Sequence, residues 1–397
     1  MSKRTKNILT IIIPIVIVAI ILQCSSLWFE NEIESRFSPL LAKSPAIDYT
    51  NKGISIIKNG AEKQGILIFG SSELSSGYDY GIPRLFPNTT ANYDISLIGQ
   101  AGDQDLINCI RFAALSDELA GKRIVIIVSP QWFFNEEIDT AGFQSRFSDV
   151  QYYRAMSNPK LDSETKKYIS SRVSKLTQGQ NKLQVPHIYS KLINNNNFFT
   201  QTVRTLLSPY YFIEKNFLEY KEKAITVQNL QKFKPAAGLS SEIKDINWEE
   251  SEKKAEELTK PTVSTNDMYI IDWYYNAYIA SNLETVKNHY ANVNCLASNE
   301  LQDFKTLMSI CYKTGIKPYI VIQSSNGFYY DYAGFTADKR NKLYDELANT
   351  CKKYRFDYVD LRDKEYEPYF YEDIMHPSRK GCVYIAEKIS KNFSKSS

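Results

Sequence analysis

The sequence predicts an α/β fold around a parallel sheet, carried behind an N-terminal membrane span. Three observations predict it. Five short apolar runs read as strands buried on both faces, segments of helical spacing alternate with them, and one long apolar run follows a small basic cluster at the start. Strands alternating with helices imply parallel pairing, because a parallel connection has to cross over the sheet and a helix makes that crossing.

At the N-terminus, Lys3, Arg4 and Lys6 precede an apolar run from Ile8 to Leu22 that extends through Cys24 to Phe29. That is about 20 residues, enough to span hydrocarbon. A secretory signal would start the same way but end in a small-x-small cleavage site. Gln23-Cys24-Ser25-Ser26 leading into Leu27-Trp28-Phe29 is not one, so retention as an anchor is expected. Cys24 raises a lipoprotein reading, which the bulky Gln23 before it fits poorly. Glu30, Glu32 and Glu34 follow the span, and the positive-inside rule then places residues 1–7 in the cytoplasm and everything after Phe29 outside. The expected division is a tip and anchor at 1–29 and an extracellular domain at 30–397.

The strand runs are Gly65–Gly70, Tyr93–Gly99, Arg123–Ser129, Lys317–Gln323 and Asp357–Leu361, each rich in β-branched or aromatic residues and flanked by turn residues. Helical spacing marks Asp103–Leu115, Leu301–Tyr312, Ala337–Tyr354 and Pro377–Phe393. Residues 150–290 break the rhythm. They lack comparable strand runs and hold Asn194–Asn197, Pro235 to Gly238 and the charged run Glu242–Lys260, so a mostly helical insertion is expected there.

Composition excludes several classes. A net charge of +3 gives no nucleic-acid signature, and 13% aromatic content with 28 Tyr is far from a disordered chain. The six cysteines form no CxxC pair or tight cluster, and Cys109, Cys311 and Cys351 fall in apolar or helix-like runs, as buried thiols do. Three separated histidines do not make a metal site, and no residue set asks for a cofactor.

Chemistry-bearing residues gather where strands end, which in a parallel sheet is where ligands bind. The first strand run leads into Phe69-Gly70-Ser71-Ser72-Glu73-Leu74, and Ser72 is a candidate nucleophile, although a serine there can equally cap the next helix. Near the other end stands Asp373-Ile374-Met375-His376-Pro377. That spacing lets Asp373 hold Nδ1 of His376 while Nε2 takes the proton of Ser72, the division of roles in a hydrolytic triad, although Asp-x-x-His can also be a solvated helix cap. His187 and His289 have no such setting. After the second strand run, the N–H of Gly102 is a candidate oxyanion donor. After the third, in Ser129-Pro130-Gln131-Trp132, the amide of Gln131 is another. Either stretch alone can be a structural turn.

A Gly-x-Ser turn after the first strand, a Gly turn after the second and a late Asp-x-x-His resemble the SGNH (GDSL-like) hydrolase superfamily. The resemblance implies a three-layer sandwich with a five-stranded parallel sheet. The third block departs from it, with Ser-Pro-Gln-Trp in place of Gly-x-Asn-Asp. The N-terminal anchor with FGSSEL (69–74), GQAGDQ (99–104), SPQWFF (129–134), SNGFYYDY (325–332) and DIMHPSRKG (373–381) is more specific and is similar to the DltD family of D-alanyl-lipoteichoic acid biosynthesis. That likeness implies D-alanyl transfer to lipoteichoic acid on the outer face of a Gram-positive membrane, together with a membrane-bound O-acyltransferase. Ser72 would carry the acyl group, and Asn326 joins Gly102 and Gln131 among the expected oxyanion or substrate-binding residues. The immediate donor stays open between a carrier protein, a membrane peptide and a lipid. Residues 151–235 hold 14 Lys and Arg against five Asp and Glu, a charge suited to a polyphosphate acceptor, to lipid headgroups or to plain solvated faces. A plain extracellular esterase or thioesterase, and a scaffold with a vestigial site, are the competing readings.

Overall fold

The computed structural model describes residues 3–44, 48–75, 79–195 and 197–394. Met1 and Ser2 of the basic tip and Asn196 of the asparagine run lie outside the described residues. Helix α1 (Lys3–Arg36) contains, at Ile12–Arg36, the one stretch among the described residues long and apolar enough to cross a membrane, with a mean hydropathy of 2.4. Its apolar side chains from Ile12 to Leu22 are exposed, which distinguishes it from the core helix of a folded body and is the pattern that a membrane span requires. The helix does not stop at Phe29. It runs unbroken to Arg36 and buries Ile33 in a small cluster with Leu41, Ile56, Val227 and Leu230, so this candidate membrane anchor continues into the globular body without a break.

The longer elements that follow are α2 (Ser55–Lys63), β1 (Ile66–Phe69), β2 (Ile95–Ile98), α3 (Asp105–Ala114), β3 (Arg123–Val128), α4 (Asp149–Ser157), α5 (Ser163–Leu176), α6 (Gln184–Asn194), α7 (Phe198–Leu230), α8 (Trp248–Thr259), α9 (Asn299–Thr314), β4 (Pro318–Ile322), α10 (Ala337–Tyr354), β5 (Tyr358–Asp360) and α11 (Arg379–Ser394). All five strands pair in parallel in the order β2-β1-β3-β4-β5. Each lies inside one of the predicted runs. The strands β1 to β4 are buried almost throughout, which is why they read as continuous apolar runs without alternation.

Successive residues nevertheless serve opposite layers. Leu67, Phe69, Ile124, Ile126 and Val128 face a core shared with α2, α3, α9 and α10, while Ile66, Ile68, Val125 and Ile127 face one shared with α11. The result is helices on both faces of the sheet, the three-layer arrangement that the resemblance implied. Between β3 and β4 the named elements are all helical. That stretch wraps both faces, since Tyr152 and Met156 of α4 and Val173 of α5 join the first core and Ala255 of α8 joins the second.

The strand order places the site. The chain steps from β1 outward to β2 and then returns to the other side of β1 as β3. The crossovers diverge between β1 and β3, so a crevice opens beyond their carboxyl ends.

Candidate active site

The turn after β1 leads straight into that crevice. Gly70 ends the strand, and a Cβ there would sit 2.5 Å from Oε1 of Glu73. Ser72 opens a single 3-10 turn, Ser72–Ser75, and its side chain is half-buried while its neighbours Ser71 and Glu73 are buried. The two serines are used differently. Ser71 accepts from the Gly102 N–H at 3.0 Å and lies 3.4 Å from the Gln100 carbonyl, tying the β1 turn to the β2 turn. Ser72 points the other way, and its Oγ lies 2.7 Å from Nε2 of His376.

His376 comes from the loop that precedes α11. Its Nδ1 lies 2.6 Å from Oδ2 of Asp373, while Oδ1 of Asp373 accepts the N–H groups of Met375 at 2.8 Å and His376 at 2.7 Å. One carboxylate therefore shapes its own loop and orients the imidazole. The loop is held in turn by the end of β4. Gln323 Nε2 donates to the Met375 carbonyl at 2.6 Å, and the Asn326 N–H donates to the Ile374 carbonyl at 3.1 Å. On the far side, Glu372 N–H donates to the His376 carbonyl at 2.9 Å.

Burial pulls the His376 pKa down. The Asp373 hydrogen bond and charge, with the charges of Glu73 and Glu372, outweigh that, and the pKa lies above the ordinary value of 6.5. Glu73 sits under the same turn. Burial pushes its carboxyl up, opposed by the Ser71 N–H that it accepts at 2.7 Å. Its second oxygen lies 3.5 Å from the Ser129 hydroxyl at the end of β3, so Glu73 bridges the two strands that flank the crevice. Glu372, Asp373 and His376 bring metal-ligand atoms within 4.8 Å of one another. Both ring nitrogens of His376 are already engaged, by Asp373 and by Ser72, which leaves the imidazole no lone pair for an ion.

Comparison with known proteins identifies the family of the chain. The model of the DltD protein family matches residues 45–394. This chain belongs to the DltD family. Among DltD relatives it is 29% identical to Protein DltD of Bacillus subtilis (strain 168) over 325 residues, 82% of this chain and 81% of that protein. It is 28% identical to Protein DltD of Staphylococcus aureus (strain NCTC 8325 / PS 47) over 331 residues, 82% of this chain and 80% of the other. The DltD of Lacticaseibacillus rhamnosus is 22% identical over 348 residues. The family match spans all five strands and every residue of the Ser72–His376–Asp373 arrangement.

Within this DltD-family chain the other expected site residues divide. Gly102 is near the site, but its N–H is spent on Ser71 Oγ and is not offered to a ligand. Asn326 is buried, and both ends of its amide are engaged. Oδ1 caps the helix Gly327–Tyr332 by accepting from Tyr329 N–H at 3.0 Å, and Nδ2 donates to the Met268 carbonyl at 2.8 Å, while its backbone N–H is what ties the residue to the Asp-x-x-His loop. Gln131 stands half-buried in the turn Pro130–Phe133 after β3, and its amide has no hydrogen-bond partner among the described residues. The Ser72 N–H is likewise uncommitted among them, as the first N–H of a turn is. His187 and His289 lie elsewhere, beside Thr177 and Tyr290. Glu73 and Gln323 were missed by sequence reasoning. Gln323 ends a predicted strand run and Glu73 stands three residues after one, and that position was the available signal.

Proposed function

We propose that this protein transfers D-alanyl groups to lipoteichoic acid at the outer face of the membrane, through an acyl-ester on Ser72. The observation that carries the reading is the unbroken chain from Ser72 Oγ through His376 to Asp373 at the carboxyl end of β1. DltD family membership supplies the pathway, and the apolar α1 behind a basic tip supplies the address, with the N-terminus cytoplasmic and residues 30–397 outside.

In the first half-reaction Ser72 Oγ attacks the acyl carbonyl while its proton passes to Nε2 of His376. Asp373 stabilises the imidazolium that forms. The tetrahedral oxyanion takes the Ser72 N–H and, from the β3 side, the Gln131 amide, in place of the Gly102 N–H. Collapse expels the donor's leaving group, which carries away the proton from His376. In the second half a hydroxyl of the polyol acceptor gives its proton to Nε2 and attacks the ester carbonyl, and on collapse Nε2 returns that proton to Ser72 Oγ as the bond to the acyl carbon breaks. A membrane-bound O-acyltransferase is the partner that delivers the acyl group, from a carrier protein, peptide or lipid.

A serine-reactive fluorophosphonate tests the nucleophile. Wild type and Ser71→Ala should be labelled, and Ser72→Ala and His376→Ala should not. Labelling that survives Ser72→Ala would move the nucleophile and remove the mechanism. Turnover of a generic ester as fast as acyl transfer would favour the esterase reading.

A further inference from the structure

Helix α7 carries two apolar faces, and only one is covered. On the inner side Tyr211 packs at a tilt against Tyr189, ring centroids 4.1 Å apart, and Leu218 packs against the main core. On the outer side Phe199, Leu206, Tyr210, Ile213 and Phe217 repeat at helical spacing, within a sector of about 60° at 100° per residue. Leu206 is 73% exposed, Ile213 66% and Phe217 58%, so this stripe is bare over most of the helix. From Phe199 to Phe217 it is about 27 Å long. Solitary exposed apolar residues need no explanation, but a continuous stripe of this length marks a contact surface.

What covers it follows from the neighbour of α7. Tyr220 Oη lies 3.1 Å from Ser25 Oγ of α1, Lys223 is bonded to Ser26 and Glu30, and Val227 shares a cluster with Ile33. Residue numbers rise together along both helices over this contact, Ser25–Ile33 against Tyr220–Val227, so the stripe of α7 begins where the apolar run of α1 ends. Stepping back along α7 from Tyr220 therefore leads toward the apolar run of α1, and Phe217 is reached three residues before the Ser25 contact, as Leu22 is on α1. The bare stripe lies next to the side of α7 that grips the anchor. Between Phe199 and Phe217 the charged residues are Arg204, Glu214 and Lys215, a net +1, so the attraction to lipid rests on the apolar stripe itself.

We propose that the outward face of α7, from Phe199 to Phe217, lies against the lipid bilayer beside α1 as a second membrane contact. It fixes the tilt of the body on the membrane, because a single helix leaves the body free to swing and a second line of contact does not. The proposal stands whether or not Ser72 is a nucleophile.

The full chain, with Cys24→Ser to remove its exposed thiol, is reconstituted into vesicles of phosphatidylcholine and phosphatidylglycerol. Leu206→Cys, Ile213→Cys or Phe217→Cys is labelled with an environment-sensitive maleimide, and Lys391→Cys on α11, across the sheet, is the control. At the three α7 positions the emission should be blue-shifted, quenched by nitroxide-bearing lipid and shielded from aqueous iodide. The control should behave in the reverse way. Iodide quenching on α7 equal to the control would overturn the proposal. So would shielding from both quenchers, which means that protein, another chain or a second copy, covers the stripe.

Discussion

Asp373→Asn is the substitution for which the geometry sets the size of the effect. Asp373 accepts three hydrogen bonds, from Nδ1 of His376 at 2.6 Å through one oxygen and from the Met375 and His376 N–H groups at 2.8 and 2.7 Å through the other. An asparagine has one oxygen to offer. If that oxygen keeps the two backbone donors, its NH2 group faces Nδ1, forces Nδ1 to accept, and puts the ring proton on Nε2, where it blocks transfer from Ser72. The opposite orientation keeps the productive tautomer but turns the NH2 group onto two N–H donors. Leaving two such donors unpaired costs about 1–3 kcal/mol each, or about 2–6 kcal/mol for the pair. At about 1.4 kcal/mol per factor of ten, the productive form is suppressed between about 30-fold and about 20,000-fold. A Ser-His-Asp site in which the tautomer is reversed loses about ten-thousand-fold. The rate of fluorophosphonate labelling at pH 8, with thermal melting alongside to show a folded protein, measures this. Labelling at the wild-type rate by a folded Asp373→Asn protein would refute the tautomer argument and leave the Asp-x-x-His loop a structural cap.

The remaining predictions concern pH and support. His376 must be neutral to accept the Ser72 proton, and its pKa is raised, so labelling should rise with pH along a limb centred above 6.5. In Asp373→Asn the limb should move down. Because the folded state favours the charged imidazole, the same group adds stability that is fully present below about 6.5, the usual unfolded value, and is lost as pH rises through the folded pKa. Melting temperature followed across that window should show the decline, and His376→Gln should flatten it. Glu73→Ala removes the acceptor of the buried Ser71 N–H and should cost about 1–3 kcal/mol of stability, read as an earlier unfolding midpoint, with labelling of Ser72 slowed. Gly99→Ala should fail to accumulate as folded protein. The new methyl group would lie 1.9 Å from the Gly70 carbonyl oxygen at a φ of +146°, and the β1 and β2 turns cannot separate without dismantling the site.

The strands were legible because a parallel sheet covered on both faces imposes one signal, an apolar run ended by turn residues. β1 to β5 all fall inside the predicted runs, trimmed where Gly65 and Gly70 or Tyr93 and Gly99 turn out to lie beyond the ladder. Helix α10 matches its predicted span, and α9 starts earlier than its apolar spacing because Ser298 caps it, accepting from Leu301 N–H at 3.3 Å. The extent of α1 was not legible. Past Phe29 its sequence turns charged, and only the packing of Ile33 in the body explains why the helix continues to Arg36. Within the site, the Ser72 turn and the Asp-x-x-His loop stood out by residue type and position only as candidates that could equally cap helices, and the superfamily resemblance is what joined them. The Gly102 and Asn326 assignments rested on where a group stands in the chain, and a backbone N–H or a capping amide can be used up by a neighbour that spacing does not reveal. In both cases such a neighbour exists, Ser71 for Gly102 and Tyr329 for Asn326. Glu73 was passed over because a carboxylate after a serine turn reads as surface, and its burial depends on β3 lying alongside β1.

The central claim is that Ser72, driven by His376 and Asp373, carries the D-alanyl group to lipoteichoic acid. Its most direct test is the D-alanine ester content of lipoteichoic acid from cells in which Ser72→Ala replaces the native protein at normal expression. The account predicts a fall to the level of cells lacking the protein altogether, with the variant still present in the membrane. Ester content equal to wild type would contradict it, and would make the protein a scaffold whose serine does no chemistry.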